Sequence, residues 1–113
     1  MDKTKLSKND PILVITNLPD VGSAEHLGAE LINNNLAACI NILSPCTSLF
    51  SWEGKMEKIN EVPMLIKTTM AKYDLLENAI CAMHPYELPE IVFVPILGGL
   101  HSYLSWISKV TIK

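Results

Sequence analysis

The order of local patterns along the 113 residues predicts an α+β fold in which helices pack on one face of an antiparallel sheet. Three observations carry that expectation. Short runs dense in β-branched residues alternate with stretches whose apolar residues recur at helical spacing. The two longest β-like segments, Ala37 to Trp52 and the run ending at Thr69, are separated only by Glu53-Gly54-Lys55, a hairpin signal that makes them antiparallel neighbours. Each of the first two helical stretches follows one strand and precedes another, so the order reads βαββαβ with a closing helix.

Met1 to Asp10 is polar and lacks the apolar stretch of a secretory leader. Residues 1–10 are therefore expected to form a disordered tail, and residues 11–113 one domain, since the chain is too short for two cores. After Pro11, Ile12-Leu13-Val14-Ile15-Thr16-Asn17 reads as a buried strand by its brevity and β-branched density. Pro19 ends it and Asp20 is placed to cap a helix. That helix carries Val21, Ala24, Leu27, Gly28, Leu31 and Ile32 on one face and closes at Asn33-Asn34-Asn35, because asparagine tolerates a left-handed cap.

The segment from Ala37 to Trp52 is β-like, with Pro45 as an internal break or bulge. In the strand that follows the hairpin, Val62, Met64, Ile66 and Thr68 share one face while Glu61, Pro63, Leu65 and Lys67 share the other. A second helix has Tyr73, Leu76, Ile80 and Met83 as its apolar stripe, and Pro85 stops it. Ile91 to Ile96 is a further strand; beyond Gly98-Gly99, Leu100 to Ile107 makes a short C-terminal helix with Tyr103, Leu104 and Ile107 on one side. This is the split-βαβ, ferredoxin-like pattern.

One feature exceeds a plain fold of that type. The strands flanking Gly54 are each about twice the usual ~5–6 residues. They form long β-hairpin arms with Leu49, Phe50 and Trp52 near the tip. The face bearing Pro63 and Leu65 is also expected to lack a covering layer within one chain. Projecting edges and a bare face find partners, so self-association is the expectation.

Composition narrows the functions. The chain is 49% hydrophobic and 19% charged with a net charge of −3, and no basic stripe suited to nucleic acid occurs. The longest apolar run, Ile91 to Leu97, is broken by Pro95 and far too short for a membrane span. Cys39, Cys46 and Cys81 leave one thiol over in any pairing and show no CxxC spacing. They are expected as reduced thiols in a cytoplasmic protein, with Cys39 and Cys81 packed in the core.

Several strings then carry a resemblance. Leu36-Ala37-Ala38-Cys39-Ile40-Asn41-Ile42, Ser51-Trp52-Glu53-Gly54-Lys55, Ile66-Lys67-Thr68-Thr69, His84-Pro85-Tyr86-Glu87-Leu88-Pro89-Glu90-Ile91 and Tyr103-Leu104-Ser105-Trp106-Ile107 follow one another as in the CutA divalent-cation tolerance family. The resemblance spans Ile12 to Ile107 without a large gap. It implies a homotrimer of ferredoxin-like subunits similar in architecture to the PII signalling proteins. It also implies a part in tolerance of copper and other divalent cations.

It further implies two groups of site residues. The family's copper site is associated with two adjacent histidines and a cysteine; here those positions hold Met83, His84 and Thr16, so only His84 keeps the ligand type. A thioether still suits soft Cu(I), while Met83 also continues the helix's apolar stripe and His84 sits favourably at a helix C-terminus. Residues matching Trp52, Glu61, Lys67, Tyr86 and Glu90 line a cleft between subunits in the family. A cationic amine beside an aromatic ring and carboxylates suits a small anionic or zwitterionic ligand, and equally an intersubunit ion pair. His26 and His101 lack a second ligand at helical spacing and are expected in solvent.

The leading expectation is a trimeric binding protein that holds copper or another divalent cation weakly. A PII-like small-molecule sensor with a ligand cleft between subunits, or an interaction scaffold, is the alternative. No glycine-rich phosphate cradle is present, so a nucleotide cofactor is not expected. No ordered nucleophile, histidine and carboxylate can be read, so neither is catalysis. The expected partners are copies of itself and metal ions, with neither nucleic acid nor membrane.

Overall fold

The computed structural model describes residues 5–112 and has the element order that the sequence predicts. Strand β1 (Pro11–Leu18) leads to helix α1 (Val21–Asn33), then β2 (Cys39–Ile42), β3 (Cys46–Trp52) and the long β4 (Lys55–Thr69). A single 3-10 turn, Met70–Lys72, opens into α2 (Tyr73–Met83), followed by β5 (Ile91–Pro95) and α3 (His101–Thr111). The sheet order is β2-β4-β1-β5, every pairing antiparallel, with β3 adding to the outer half of β4.

The turn chemistry is legible in detail. Asp20 caps α1, its Oδ1 accepting from the Ser23 amide at 2.7 Å, and these bonds to Ser23 hold its carboxyl below the ordinary carboxylate pKa. At the other end Asn35 takes a left-handed φ of 59°, so that the Leu36 amide reaches back to the Leu31 carbonyl at 2.9 Å and the Asn35 amide to Ile32 at 3.1 Å. The arm turns on Glu53 and Gly54, with φ of 50° and 80°; two consecutive positive values match the twist of a two-residue hairpin.

Pro45 divides the expected second strand into β2 and β3. The same break explains why Pro63 is tolerated in the middle of a sheet. Its carbonyl accepts from the Leu43 amide at 2.9 Å, so its missing N–H falls on the side where the partner strand is interrupted.

The core lies between the sheet and α1 with α2. Ile12, Val14 and Leu18 of β1, and Val62, Met64 and Ile66 of β4, meet Ala24, Leu27 and Leu31 of α1 and Tyr73, Leu76 and Ile80 of α2, all buried. Gly28 lets α1 approach closely, since a Cβ there would lie 3.5 Å from Met64 Cε.

Three expectations are corrected. The face bearing Pro63 and Leu65 is not bare, because α3 runs on to Thr111, past the expected end at Ile107, and lies across it. Ile107 and Thr111 are buried beneath α3, and Tyr103 stands over Lys67. The cover is partial: Val92 and Val94 on the same face stay 48% and 46% exposed. Cys81 is exposed, not packed in the core, because it falls beside Ile80 and off the buried stripe of α2; Cys39 is half-buried. Finally, the described part of the expected tail, residues 5–10, is held down. Leu6 packs against the core, Lys8 and Asp10 accept from the Ala71 and Met70 amides at 2.9 Å, and the 3-10 turn thereby gains a backbone partner. Residues 1–4 lie outside the described residues.

Candidate functional site

The residues that the resemblance singled out fall into three separate places: the end of β1, the far end of β4 and, for Trp52, the arm tip. The first is where β1 ends and α2 hands the chain to β5. Pro85 forces the preceding residue out of helical conformation, and His84 adopts φ −74° and ψ 133° while its amide still caps α2 through Ile80. That extended backbone turns the imidazole under the end of β1.

Both ring nitrogens of His84 are engaged. Nδ1 lies 3.2 Å from the Tyr86 amide, and Nε2 lies 2.6 Å from the Asn17 carbonyl. An amide N–H can only donate, so Nδ1 accepts; a carbonyl can only accept, so Nε2 carries the proton. The ring is held from both sides in this hydrogen-bond pattern, 8% exposed, with the Tyr86 ring 4.7 Å from its own. Asn17 donates from Nδ2 to Glu90 Oε1 at 3.0 Å. Burial raises the Tyr86 phenol pKa, and a hydrogen bond and charge from the buried Glu61 add to the effect, with Asp20 contributing from further off. His84, Tyr86, Glu61, Asn17 and Glu90 therefore form one polar mesh that ties residues 84–90 to β1 and β4.

This mesh does not fit a preformed copper centre. A metal takes the unprotonated nitrogen lone pair of histidine, and on His84 that lone pair already accepts a hydrogen bond. Met83 is half-buried and packs against the core. Thr16 is fully buried on the helix-facing side of β1, and its Oγ1 has no hydrogen-bond partner among the described residues. Among those residues no group of three or more His, Cys, Asp and Glu side chains converges as a metal site would need. His26 and His101 are both exposed.

The orphaned Thr16 hydroxyl has a measurable consequence. Thr16→Val removes a buried, unsatisfied polar atom and keeps the β-branched shape, so stability should rise by about 1–2 kcal/mol. Chemical denaturation of the two proteins checks it; an unchanged or lower midpoint would mean that the hydroxyl has a partner in solution.

The second place is the far end of β4. Lys67 stands six residues beyond Glu61, roughly 20 Å along an extended strand. The expected grouping of Trp52, Glu61, Lys67, Tyr86 and Glu90 is therefore divided within one chain. Glu61, Tyr86 and Glu90 belong to the mesh, Lys67 lies on the face covered by α3, and Trp52 is at the arm tip opposite Lys55, 36% exposed. Lys67 Nζ donates to Asn41 Oδ1 at 3.0 Å, lies 4.0 Å from Cys39 Sγ and stands 5.8 Å from the Tyr103 ring centroid. The sequence reading missed Asn17, Asn41 and Tyr103 as members of these groups. Asn41 was within reach of it, since a polar residue in a strand shares the face of Cys39, directly opposite Lys67.

Comparison with known proteins agrees over the whole fold. A family model described as CutA1 divalent ion tolerance protein matches residues 12–110. The divalent-cation tolerance protein CutA of Escherichia coli O45:K1 is 36% identical over 104 residues, covering 92% of this chain and 93% of that protein. The crystal structure of CutA1, described as a stable protein from the psychrotrophic bacterium Shewanella sp. SIB1, has a TM-score of 0.88 at 36% identity, covering 92% and 97% of the two chains. A protein from Archaeoglobus fulgidus described as a periplasmic divalent cation tolerance protein CutA has a TM-score of 0.87 at 36% identity, covering 89% and 98%.

Proposed function

Because the chain belongs to the CutA1 divalent ion tolerance protein family, we propose that it acts in divalent-cation tolerance as a homotrimeric binding protein, not as an enzyme. The observation that carries the assembly is the apolar surface one chain leaves uncovered. Val92 and Val94 stand beside Leu97, 94% exposed, and Leu100; the arm exposes Leu49, Phe50, Trp52 and Met56. Patches of this kind on a small protein mark an interface. The sheet order with α1 and α2 on one face supports a ferredoxin-like subunit, and three such subunits related by a closed rotation would bury these surfaces together.

Cation binding, in this reading, is loose and made through carboxylate oxygens, or completed between subunits. A built copper centre on His84, Met83 and Thr16 is not part of it. The free thiols Cys39, Cys46 and Cys81 suit a reducing, cytoplasmic setting, which localisation of a tagged protein would test directly.

Native mass spectrometry of the protein taken from cell extract, with elemental analysis before and after EDTA, tests the whole reading. The expected result is a mass of three chains carrying substoichiometric divalent cations that EDTA removes. A stable monomer at micromolar concentration sinks the assembly. A trimer with no cation but a retained organic molecule replaces cation binding with small-molecule sensing.

A further inference from the structure

Cys39 and Lys67 set a thiol and an amine side by side. They are register partners, Cys39 on the edge strand β2 and Lys67 on the inner strand β4, so both side chains rise from the same face of the sheet. Lys67 Nζ lies 4.0 Å from Cys39 Sγ, and its bond to Asn41 Oδ1 at 3.0 Å keeps the end of the side chain over β2. Both residues are half-buried. Among the described residues no carboxylate stands within ion-pairing reach of Lys67, so no acid draws the amine away from the sulfur.

The other thiols are elsewhere. Cys46 sits opposite Glu61, six residues along β4 from Lys67 and roughly 20 Å away. Cys81 is on α2, in the helical layer on the other side of the sheet. An oxidised Cys39 therefore has no thiol of its own chain within reach of a disulfide, and the nucleophile beside it is the Lys67 amine.

We propose that Cys39 and Lys67 are a peroxide-responsive pair, joined on oxidation by a sulfenamide bond that ties β2 to β4. The Cys39 thiolate attacks one oxygen of hydrogen peroxide, and the O–O bond breaks. The departing hydroxide takes a proton from the Lys67 ammonium, which leaves one water, a sulfenic acid and a neutral amine. The amine lone pair then attacks sulfur. The S–N bond forms, and the sulfenic hydroxyl leaves with a proton from nitrogen as a second water. Sulfur loses two electrons, and one peroxide is reduced to two waters. Hydrogen peroxide is scarcely larger than water, so the step needs no open face and belongs to the assembled protein. It is separate from the His84 mesh and independent of cation binding.

The test treats the assembled protein with hydrogen peroxide in a Cys46→Ser, Cys81→Ser background, where Cys39 is the one thiol left. Intact mass and peptide mapping read the product. The expected product is lighter than the reduced chain by two hydrogens, with the Cys39 peptide joined to the Lys67 peptide, and dithiothreitol should separate them. Lys67→Arg keeps the cation but removes the primary amine. In that variant the cross-link should be lost, and dimedone, which traps sulfenic acids, should label Cys39 instead. Oxidation of Cys39 to sulfinic acid without a link to Lys67 would overturn the proposal, and the peptide map of the parent protein shows it even if Lys67→Arg folds poorly. A cross-link that survives in Lys67→Arg would also overturn it. So would a Cys39 that stays reduced in the assembled protein yet oxidises in urea, since a neighbouring copy would then close the pair to peroxide.

Discussion

Replacing His84 by alanine should lower the unfolding free energy by about 2–4 kcal/mol, because both ring nitrogens lose partners that stay behind. The Asn17 carbonyl and the Tyr86 amide are backbone groups; they remain in place when the imidazole goes, and a truncated side chain offers them nothing. The ring also fills space at 8% exposure against Tyr86, so its removal opens a cavity. Two consequences separate this structural role from a ligand's. Urea denaturation should show the loss of stability without any added metal. Calorimetric titration with Cu(II), and separately with Cu(I), should give the same binding for wild type and His84→Ala at a temperature where both are folded. A variant as stable as wild type that has lost copper binding would reverse the assignment and make His84 a ligand whose hydrogen bonds are incidental.

Much of the frame was legible because local chemistry and global fold agree. The N-cap at Asp20, the left-handed Asn35, the Glu53-Gly54 turn and the stop at Pro85 each follow from what one or two residues can do with their backbone. Strand parity likewise put Lys67 on the face away from the main core. What escaped was pairwise and distant. That His84 meets Asn17 depends on β1 ending just where α2 does, and nothing in either string announces it. The position of Lys67 beside Asn41 is a matter of β2–β4 register, which a broken strand conceals. The sheet face taken as bare failed for a related reason. Periodicity showed that the last helix has an apolar side but not that it would fold back over Leu65 and Lys67. The ligand set implied for copper was transferred by alignment, and alignment carries positions without their hydrogen bonds. His84 keeps the residue type while its lone pair is spent.

Truncating Trp52 to alanine should destabilise the assembly by about 3–5 kcal/mol, the usual cost of deleting a packed aromatic. Within one chain Trp52 has little to hold. It closes the arm opposite Lys55, is 36% exposed, and its neighbours Leu49, Phe50 and Met56 are exposed as well. The arm is seven residues of β3 on the outer half of β4, so it extends roughly 20 Å with one edge of β3 unpaired. A two-stranded ribbon of that length is marginal alone in water, yet it has a tight turn and a continuous ladder from Cys46–Glu61 to Trp52–Lys55. Its order therefore calls for a second surface, and the apolar face at Val92 and Val94, beside the open edge of β5, is the one another copy can offer. The expected result is that Trp52→Ala dissociates on dilution at concentrations where wild type stays trimeric, as read by light scattering coupled to gel filtration. Leu75→Ala is the control, since Leu75 is 57% exposed on α2, away from the arm, and its loss should leave the assembly intact. If both variants keep the wild-type mass and melting curve, the arm is not an interface element. If both dissociate, the contact lies on the helical layer, and the sheet-to-arm arrangement argued from Val92 and Val94 is wrong.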